Sequence, residues 1–307
     1  MSKLMQAEEK SLELRCMEIW GGNRTIEERF QLPGIDAYLS STAFDGGRGG
    51  DLHYLSTCGK GRIVRFLIAD VAGHGAKVSN VAMRFKKLLG KHINKLDQSR
   101  LAKTLNKEFM TDNEGGRFVT ALITSYHRPS GYFVVCNAGH PRPLIYSART
   151  RHWALLDYTI EHQVDDVFNL PLGIIVPTEY RQFAVRLNPG DVVVLYTDGF
   201  SDQRNGAQPI GEEGLLEIIN GIPFTNPEAL VRSIKQALGM NERNYNRIDD
   251  ETMLVITPTD RAFKPLTLTE QLKVFGRMMP GPWHVGNASP KVPALRRREL
   301  ANLGTSI

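Results

Sequence analysis

The sequence predicts an α+β domain in which antiparallel sheets and paired helices form separate layers. Three observations lead there. Most strand-like runs are joined by short turns, as hairpins are. The helical patterns come as two pairs separated by a long series of strands. Strand and helix do not alternate as regularly as a doubly wound parallel sheet requires.

In chain order, residues 1–30 are polar with a weak helical pattern that ends at the Gly-Gly of EIWGGN. GIDAYLSSTAF (34–44) reads as a first strand, and the glycine-rich turn DGGRGG (45–50) leads into DLHYLST (51–57). RIVRFLIAD (62–70) is a strong strand. The period then changes. Val78, Val81, Ala82, Phe85, Leu88, Leu89 and Leu96 recur at helical spacing with Lys and Arg between them, and LAKTLNKEFM (101–110) gives a second helix. FVTALITSYHRPSGYFVVCNAGH (118–140) reads as a hairpin about a Pro/Ser/Gly loop. RPLIYS and HWALL follow as short strands, and YRQFAVRL (180–187) is joined to VVVLYT through NPGD as a further hairpin. Two helices fit 211–220 and 227–239, and ETMLVIT (251–257) is the last strand. Residues 258–307 hold several Pro and Gly, the run RRRE, and one helical stretch near 267–278.

The composition of the 307 residues is globular: 41% are hydrophobic and 23% charged, enough to bury a core. No apolar run approaches the ~20 residues that a bilayer span needs, and the acidic start MSKLMQAEEK does not suit a signal peptide. A cytoplasmic location is expected. Cys16, Cys58 and Cys136 are widely spaced, so neither a disulfide framework nor a cysteine zinc site is expected. The net charge is +5, but residues 261–307 carry eight Lys/Arg against two Asp/Glu, +6, which leaves the rest at −1. The basic character is therefore local. It fits a solvated extension, a docking segment for a protein, or a contact with nucleic acid or an anionic membrane. RRR without aromatic platforms is too little for a nucleic-acid module.

Four acidic positions share one setting. Asp51 opens a strand after two glycines, Asp70 closes one before a loop, Asp198 closes DVVVLYT before Gly199, and Asp249-Asp250 precede the last strand. A lone carboxylate at the edge of a core costs several kcal/mol unless it is paired. Strand ends hold such groups rigidly, and adjacent glycines let backbone and ligand approach. Gathered at one sheet edge, the four would repel one another unless divalent cations lay between them. Oxygen-only donors favour Mg²⁺ or Mn²⁺ over zinc.

The chain resembles the bacterial SpoIIE/RsbU group of PP2C-type (PPM) serine/threonine phosphatases. The stretches that carry the resemblance are GGDLHY (49–54), ADVAGHGAKVSNVAM (69–83), RFVTALI (117–123), NAGHPRPLIY (137–146), LPLGI (170–174), LNPGDVVVLYTDGFSDQRN (187–205) and DDETMLVI (249–256). They stand in family order. The resemblance implies a four-layer α-β-β-α sandwich, two antiparallel sheets flanked by helix pairs. It divides the chain into a partly helical N-terminal segment (1–34), a PP2C-like domain (35–258) and a basic extension (259–307).

It further implies two Mn²⁺ or Mg²⁺ ions. Asp70 would bridge them, the Val71 carbonyl would add a ligand, Asp198 and Asp249 would complete one shell, and Asp51 would serve the other directly or through water. Asp70 and Asp198 would act catalytically through a metal-bound water that hydrolyses phosphoserine or phosphothreonine. Asp249 and Asp250 are ambiguous by one place, and the family pattern favours the first. Tyr54 stands where relatives commonly carry a further acidic residue. His74 and His140 are read as structural, and Asn137, Gly73 and Gly75 as loop-shaping. The implied substrate is a phosphorylated STAS-type anti-sigma-factor antagonist in partner switching, with a regulatory protein and self-association as further partners, and no nucleic acid or membrane. The alternative is a catalytically silent scaffold on the same fold. It is disfavoured because a silent member should have lost its metal aspartates.

Overall fold

The computed structural model describes residues 12–13, 19–58, 61–73, 76–112, 116–157, 167–205, 208–242 and 245–260. The strands are β1 (Leu12–Glu13), β2 (Ile19–Arg24), β3 (Ile26–Leu32), β4 (Ile35–Thr42), β5 (Arg48–Cys58), β6 (Ile63–Val71), β7 (Val119–His127), β8 (Tyr132–Ala138), β9 (Leu144–Ser147), β10 (His152–Leu155), β11 (Gln182–Arg186), β12 (Val192–Tyr196), β13 (Arg204–Asn205), β14 (Gln208–Pro209) and β15 (Glu251–Pro258). The helices are α1 (Ala76–His92), α2 (Gln98–Asp112), the single turn α3 (Asp198–Ser201), α4 (Gly211–Asn220) and α5 (Pro227–Ala237). One sheet runs β1-β3-β4-β15-β12-β9-β10 and the other β11-β8-β7-β6-β5-β2. Apart from the short parallel pair β1–β3, every pairing in these two sheets is antiparallel.

Period-two alternation sorts each strand's residues between layers. Val193 and Leu195 of β12 enter the core between the sheets with Leu39, Leu55, Phe66, Ile68, Leu122, Leu254 and Ile256. Val192, Val194 and Tyr196 face the other way, onto Leu215 and Ile219 of α4 and Leu230, Val231 and Ile234 of α5. On the second sheet, Leu52, Leu67 and Ala69 meet the helical stripe Val78, Val81, Ala82, Phe85 and Leu89 of α1, with Leu101 and Leu105 of α2 behind. Each fully buried Leu, Ile or Phe contributes about 1.5–3 kcal/mol. Three apolar layers therefore hold four layers of structure, the predicted α-β-β-α order. Asn226 begins α5 by accepting from the Ala229 amide, with Pro227 in the first turn.

Two expectations are corrected. Residues 19–32 are not helical: β2 lies at the outer edge of one sheet and β3 beside β4 in the other, so both sheets draw on chain before residue 35. Strands 182–186 and 192–196 do not form a hairpin either. β11 pairs only with β8, whereas β12 sits between β9 and β15 in the opposite sheet. All five β12 residues are buried, so this strand needs a partner on both edges. The turn at Asn188–Asp191 is anchored to the β12 sheet by Asp191, whose carboxylate accepts from the Asn188 and Ala148 amides at 2.7 and 2.8 Å. The helix expected near 267–278 lies outside the described residues, as does the basic extension beyond Asp260. Among the described residues no helix is long and apolar enough to cross a membrane.

Candidate metal centre

The strand ends bring the aspartates to one rim. Asp51 lies in β5, Asp70 near the end of β6, Asp198 at the first position of α3 directly after β12, and Asp249 just before β15. Burial, and then the charges of Asp198, Asp249 and Asp250, push Asp70 up to about 8. Burial and then Asp249 and Asp202 push Asp198 up to about 6. Asp51, fully desolvated and facing Asp70 and Asp250, is held well above the usual carboxylate range. The groups therefore share one field in which each resists ionisation of the others.

Hydrogen bonds from both sheets fix this rim. The Thr197 hydroxyl donates to Asp51 Oδ2 at 2.7 Å and accepts the Thr252 amide at 2.9 Å, which ties β12 and β15 to β5. Thr197 also precedes α3 in the N-cap position, yet its side chain makes no cap bond because it is committed to Asp51. Asp250 is buried, and its carboxylate accepts the amides of Phe44 (2.6 Å), Gly50 (2.5 Å) and Asp51 (3.3 Å). It pins the β4–β5 loop beneath the site. Asp249 is half-buried, with Oδ1 on the Asp250 amide at 2.8 Å. The adjacent acids thus do different work, a division that sequence reasoning did not see. The roles of Asp250 and Thr197 were missed. The available signals were the paired Asp and the Thr before Asp198-Gly199.

His140 is a cross-tie. Its Nε2 donates to the Tyr196 carbonyl at 3.0 Å, so Nδ1 accepts the Thr120 hydroxyl at 2.8 Å. Thr120 is the register partner of Asp70, and Tyr196 precedes Thr197-Asp198. Burial holds the imidazole down at about 3, so it stays neutral. Asn137 closes the same loop by exchanging two hydrogen bonds of 2.8 Å with the His140 backbone. Gly73 has φ +106°. His74 and Gly75 lie outside the described residues.

Two glycines make room at the rim. A Cβ on Gly50 would press on Val78 and stand 3.1 Å from the Val71 carbonyl oxygen and 3.4 Å from Asp70 Oδ1. The absence of a side chain at residue 50 leaves a close-packed cradle between two expected ligands, the Val71 carbonyl and Asp70. The expected donors are all oxygens, which suits Mg²⁺ or Mn²⁺. Among the described residues no three His, Cys, Asp or Glu side chains form a closed cluster for an ion. The fit therefore rests on donor chemistry, the shared field and the cradle, not on a finished set of distances. At Gly199 a Cβ would collide with the Asp250 carbonyl oxygen. Gly199→Ala is expected to cost about 3 kcal/mol by overpacking, measured as a lowered denaturant midpoint, and to reduce activity because Asp198 and Asp250 must move apart.

The sequence profile of Stage II sporulation protein E (SpoIIE) matches residues 60–259. The chain belongs to the SpoIIE family. Over 194 residues it is 24% identical to "Phosphoserine phosphatase RsbU" of Bacillus subtilis, covering 63% of this chain and 55% of that protein, so it spans about half the length of that relative. The structure of the RsbU and RsbW domains of Rv1364c from Mycobacterium tuberculosis superposes with TM-score 0.64 at 21% identity, over 92% of this chain and 72% of that one. The PP2C phosphatase domain of SpoIIE from Bacillus subtilis, with a fragment of its regulatory domain, gives 0.60 at 16% identity, over 81% and 66%. The fold is thus a PP2C-like sandwich; Asp70, Asp198, Asp249 and Asp250 fall within the residues that the SpoIIE profile matches, and Asp51 lies before them. In this SpoIIE-type chain Tyr54 is buried between its sheet and α1, on the face of β5 opposite Asp51, and so offers the rim no donor.

Proposed function

We propose that the chain is a divalent-cation-dependent protein phosphatase acting on phosphoserine or phosphothreonine. The observation that carries this reading is the rim itself. Asp51, Asp70 and Asp198 are raised together by burial and by neighbouring carboxylates, beside the side-chain-free backbone at Gly50. Membership of the SpoIIE family and similarity to a phosphoserine phosphatase support it.

Asp51, Asp70, Asp198, Asp249 and the Val71 carbonyl would hold the ions. Two bound Mn²⁺ or Mg²⁺ ions would supply Lewis-acid charge and a lowered water pKa for in-line attack on phosphorus. The chain's own part is positional. Thr197 fixes one oxygen of Asp51, Asp250 fixes the loop that presents Gly50, and His140 holds Asp198's strand against Asp70's. His140 stays neutral with both nitrogens engaged and serves no proton transfer.

We infer further that the substrate is a phosphorylated STAS-type antagonist of an anti-sigma factor, within partner switching. The support is the RsbU relative and the similar structure that joins RsbU and RsbW domains.

The test is hydrolysis of p-nitrophenyl phosphate with and without Mn²⁺, repeated after EDTA, and then of a phosphorylated STAS protein against an unrelated phosphopeptide. Stimulation by Mn²⁺, loss with EDTA and preference for the STAS protein are expected. Absent hydrolysis would replace the enzyme by a scaffold, and metal-indifferent hydrolysis would remove the cations from the mechanism.

A further inference from the structure

A cleft of about 280 Å³ lies at the outer edge of one sheet, where β2, β5 and α1 meet. Arg24, Arg48, Lys86, His53 and Met83 are among its walls, and among the described residues none that lines it is acidic. Arg24 and Arg48 are direct partners across the β2–β5 ladder. Like charges directly opposite on a sheet destabilise it. Neither arginine has an ion pair among the described residues. Lys86 reaches the same cleft from α1, where its Nζ donates to the Gly21 carbonyl. Burial and then the charge of Arg24 lower its pKa. Three cationic side chains thus line one concavity with no counter-charge among the described residues.

The backbone is shaped to the cleft as well. The ladder shifts register between Gly22 and Arg24, and a Cβ on Gly21 would collide with the His53 carbonyl oxygen. Gly21 therefore lets β2 lie close against β5 beside the cations. Arg48 stands three residues before Asp51 on β5, about 10 Å along the strand at ~3.3 Å per residue. The cleft accordingly opens beside the carboxylate rim and not within it.

We propose that this cleft binds a phosphate group at a place separate from the carboxylate rim. Two arginine forks and an ammonium match the oxygens of a dianion, and its arrival would convert a repulsive pair into a bridged one. The group has two sources, free inorganic phosphate or the phosphorylated residue of a docked protein. Supply by turnover rests on the phosphatase reading; binding does not.

The experiment is calorimetric titration of the metal-free full chain with inorganic phosphate and, separately, with a phosphoserine peptide. It is repeated on Arg24→Gln, Arg48→Gln and the double variant. Saturable binding to the wild type, weakened at least ~10-fold in the double variant, is expected. Tighter binding of the peptide than of free phosphate assigns the group to a protein; equal or weaker binding assigns it to the free anion, and either supports the site. No binding at millimolar phosphate or peptide, or equal affinity in the double variant, overturns it.

Thermal unfolding gives a second readout. Without phosphate, Arg24→Gln should melt no lower than wild type, since it removes one of two opposed like charges. With phosphate, the wild type should gain more than Arg24→Gln. A variant that melts lower without phosphate, or gains equally with it, would also overturn the proposal. Metal and turnover play no part in either measurement, so failure here leaves the phosphatase reading intact, and an inactive enzyme leaves this site intact.

Discussion

Asp70→Asn is expected to abolish cation-dependent hydrolysis and at the same time to stabilise the protein freed of metal. Asp70 is the carboxylate that most others act upon: burial, Asp198, Asp249 and Asp250 together push it up to about 8. Asn keeps the volume and removes the charge. Loss of a carboxylate that would hold the ions should lower kcat/KM at least ~10³-fold, about 4 kcal/mol of transition-state stabilisation. The stability effect has the opposite sign. A carboxylate raised by folding contributes its stability below its unfolded pKa, near 4, and loses it as pH rises through the folded value. For Asp198 and Asp70 that window runs upward to about 6 and about 8. The metal-free wild type should therefore melt higher at pH 5 than at pH 8.5. Asp70→Asn should flatten that slope and add ~1 kcal/mol or more at pH 8, since each pKa unit is worth ~1.4 kcal/mol. Saturating Mn²⁺ should flatten it too, because an ion that binds only the folded state stabilises by mass action. Melting curves across pH, with and without metal, check all three. A wild type whose melting is indifferent to pH, or a variant that keeps its Mn²⁺-dependent rate, would remove the rim from the mechanism.

What the sequence made legible follows from how strongly each element is patterned. The stripe Val78, Val81, Ala82, Phe85, Leu89 has one solution, and α1 takes it against the sheet. β2 and β3 were hard to read because one lies at a sheet edge and the other is only partly buried, so Ile26 to Leu32 alternate only weakly. Tertiary pairing, not local preference, makes them strands. The turn NPGD reads the same whether it closes a hairpin or carries the chain between sheets, and only the full burial of Val192–Tyr196 tells the two apart. At the site, strand-end aspartates beside glycines were legible because both residue types are unusual at the end of an apolar run. The Thr197 hydroxyl was not, since as a Thr before Asp-Gly it looks like an ordinary helix cap. Its bond to Asp51 spans 146 positions of sequence.

The neighbouring pair Asp249 and Asp250 supplies the second large effect, and the two single variants should separate. Asp250 is 3% exposed and its two oxygens accept three backbone amides. Asn in its place turns one acceptor into a donor that faces an N–H, so at least one buried amide is left unsatisfied and a charge-assisted bond is lost. We expect Asp250→Asn to cost about 2–4 kcal/mol of stability. Activity should fall with it, because the amides it releases belong to Gly50 and Asp51. Asp249→Asn should behave otherwise. Its Oδ1 keeps the Asp250 amide, and the removed charge is one that raises both Asp70 and Asp198. The metal-free protein should be as stable as wild type or more so, while the Mn²⁺ concentration needed for half-maximal activity rises at least ~10-fold. Urea unfolding without metal and Mn²⁺ titration of the rate distinguish the two roles in one pair of proteins. If Asp249→Asn unfolds the chain while Asp250→Asn only weakens metal dependence, the assignments are reversed. The carboxylate beneath Gly49 would then be the ligand and its neighbour the pin. The geometry argues against that outcome, because a Cβ on Gly49 would overlap the Asp250 carboxyl group. Both oxygens of that carboxylate are already engaged by the amides of Phe44, Gly50 and Asp51.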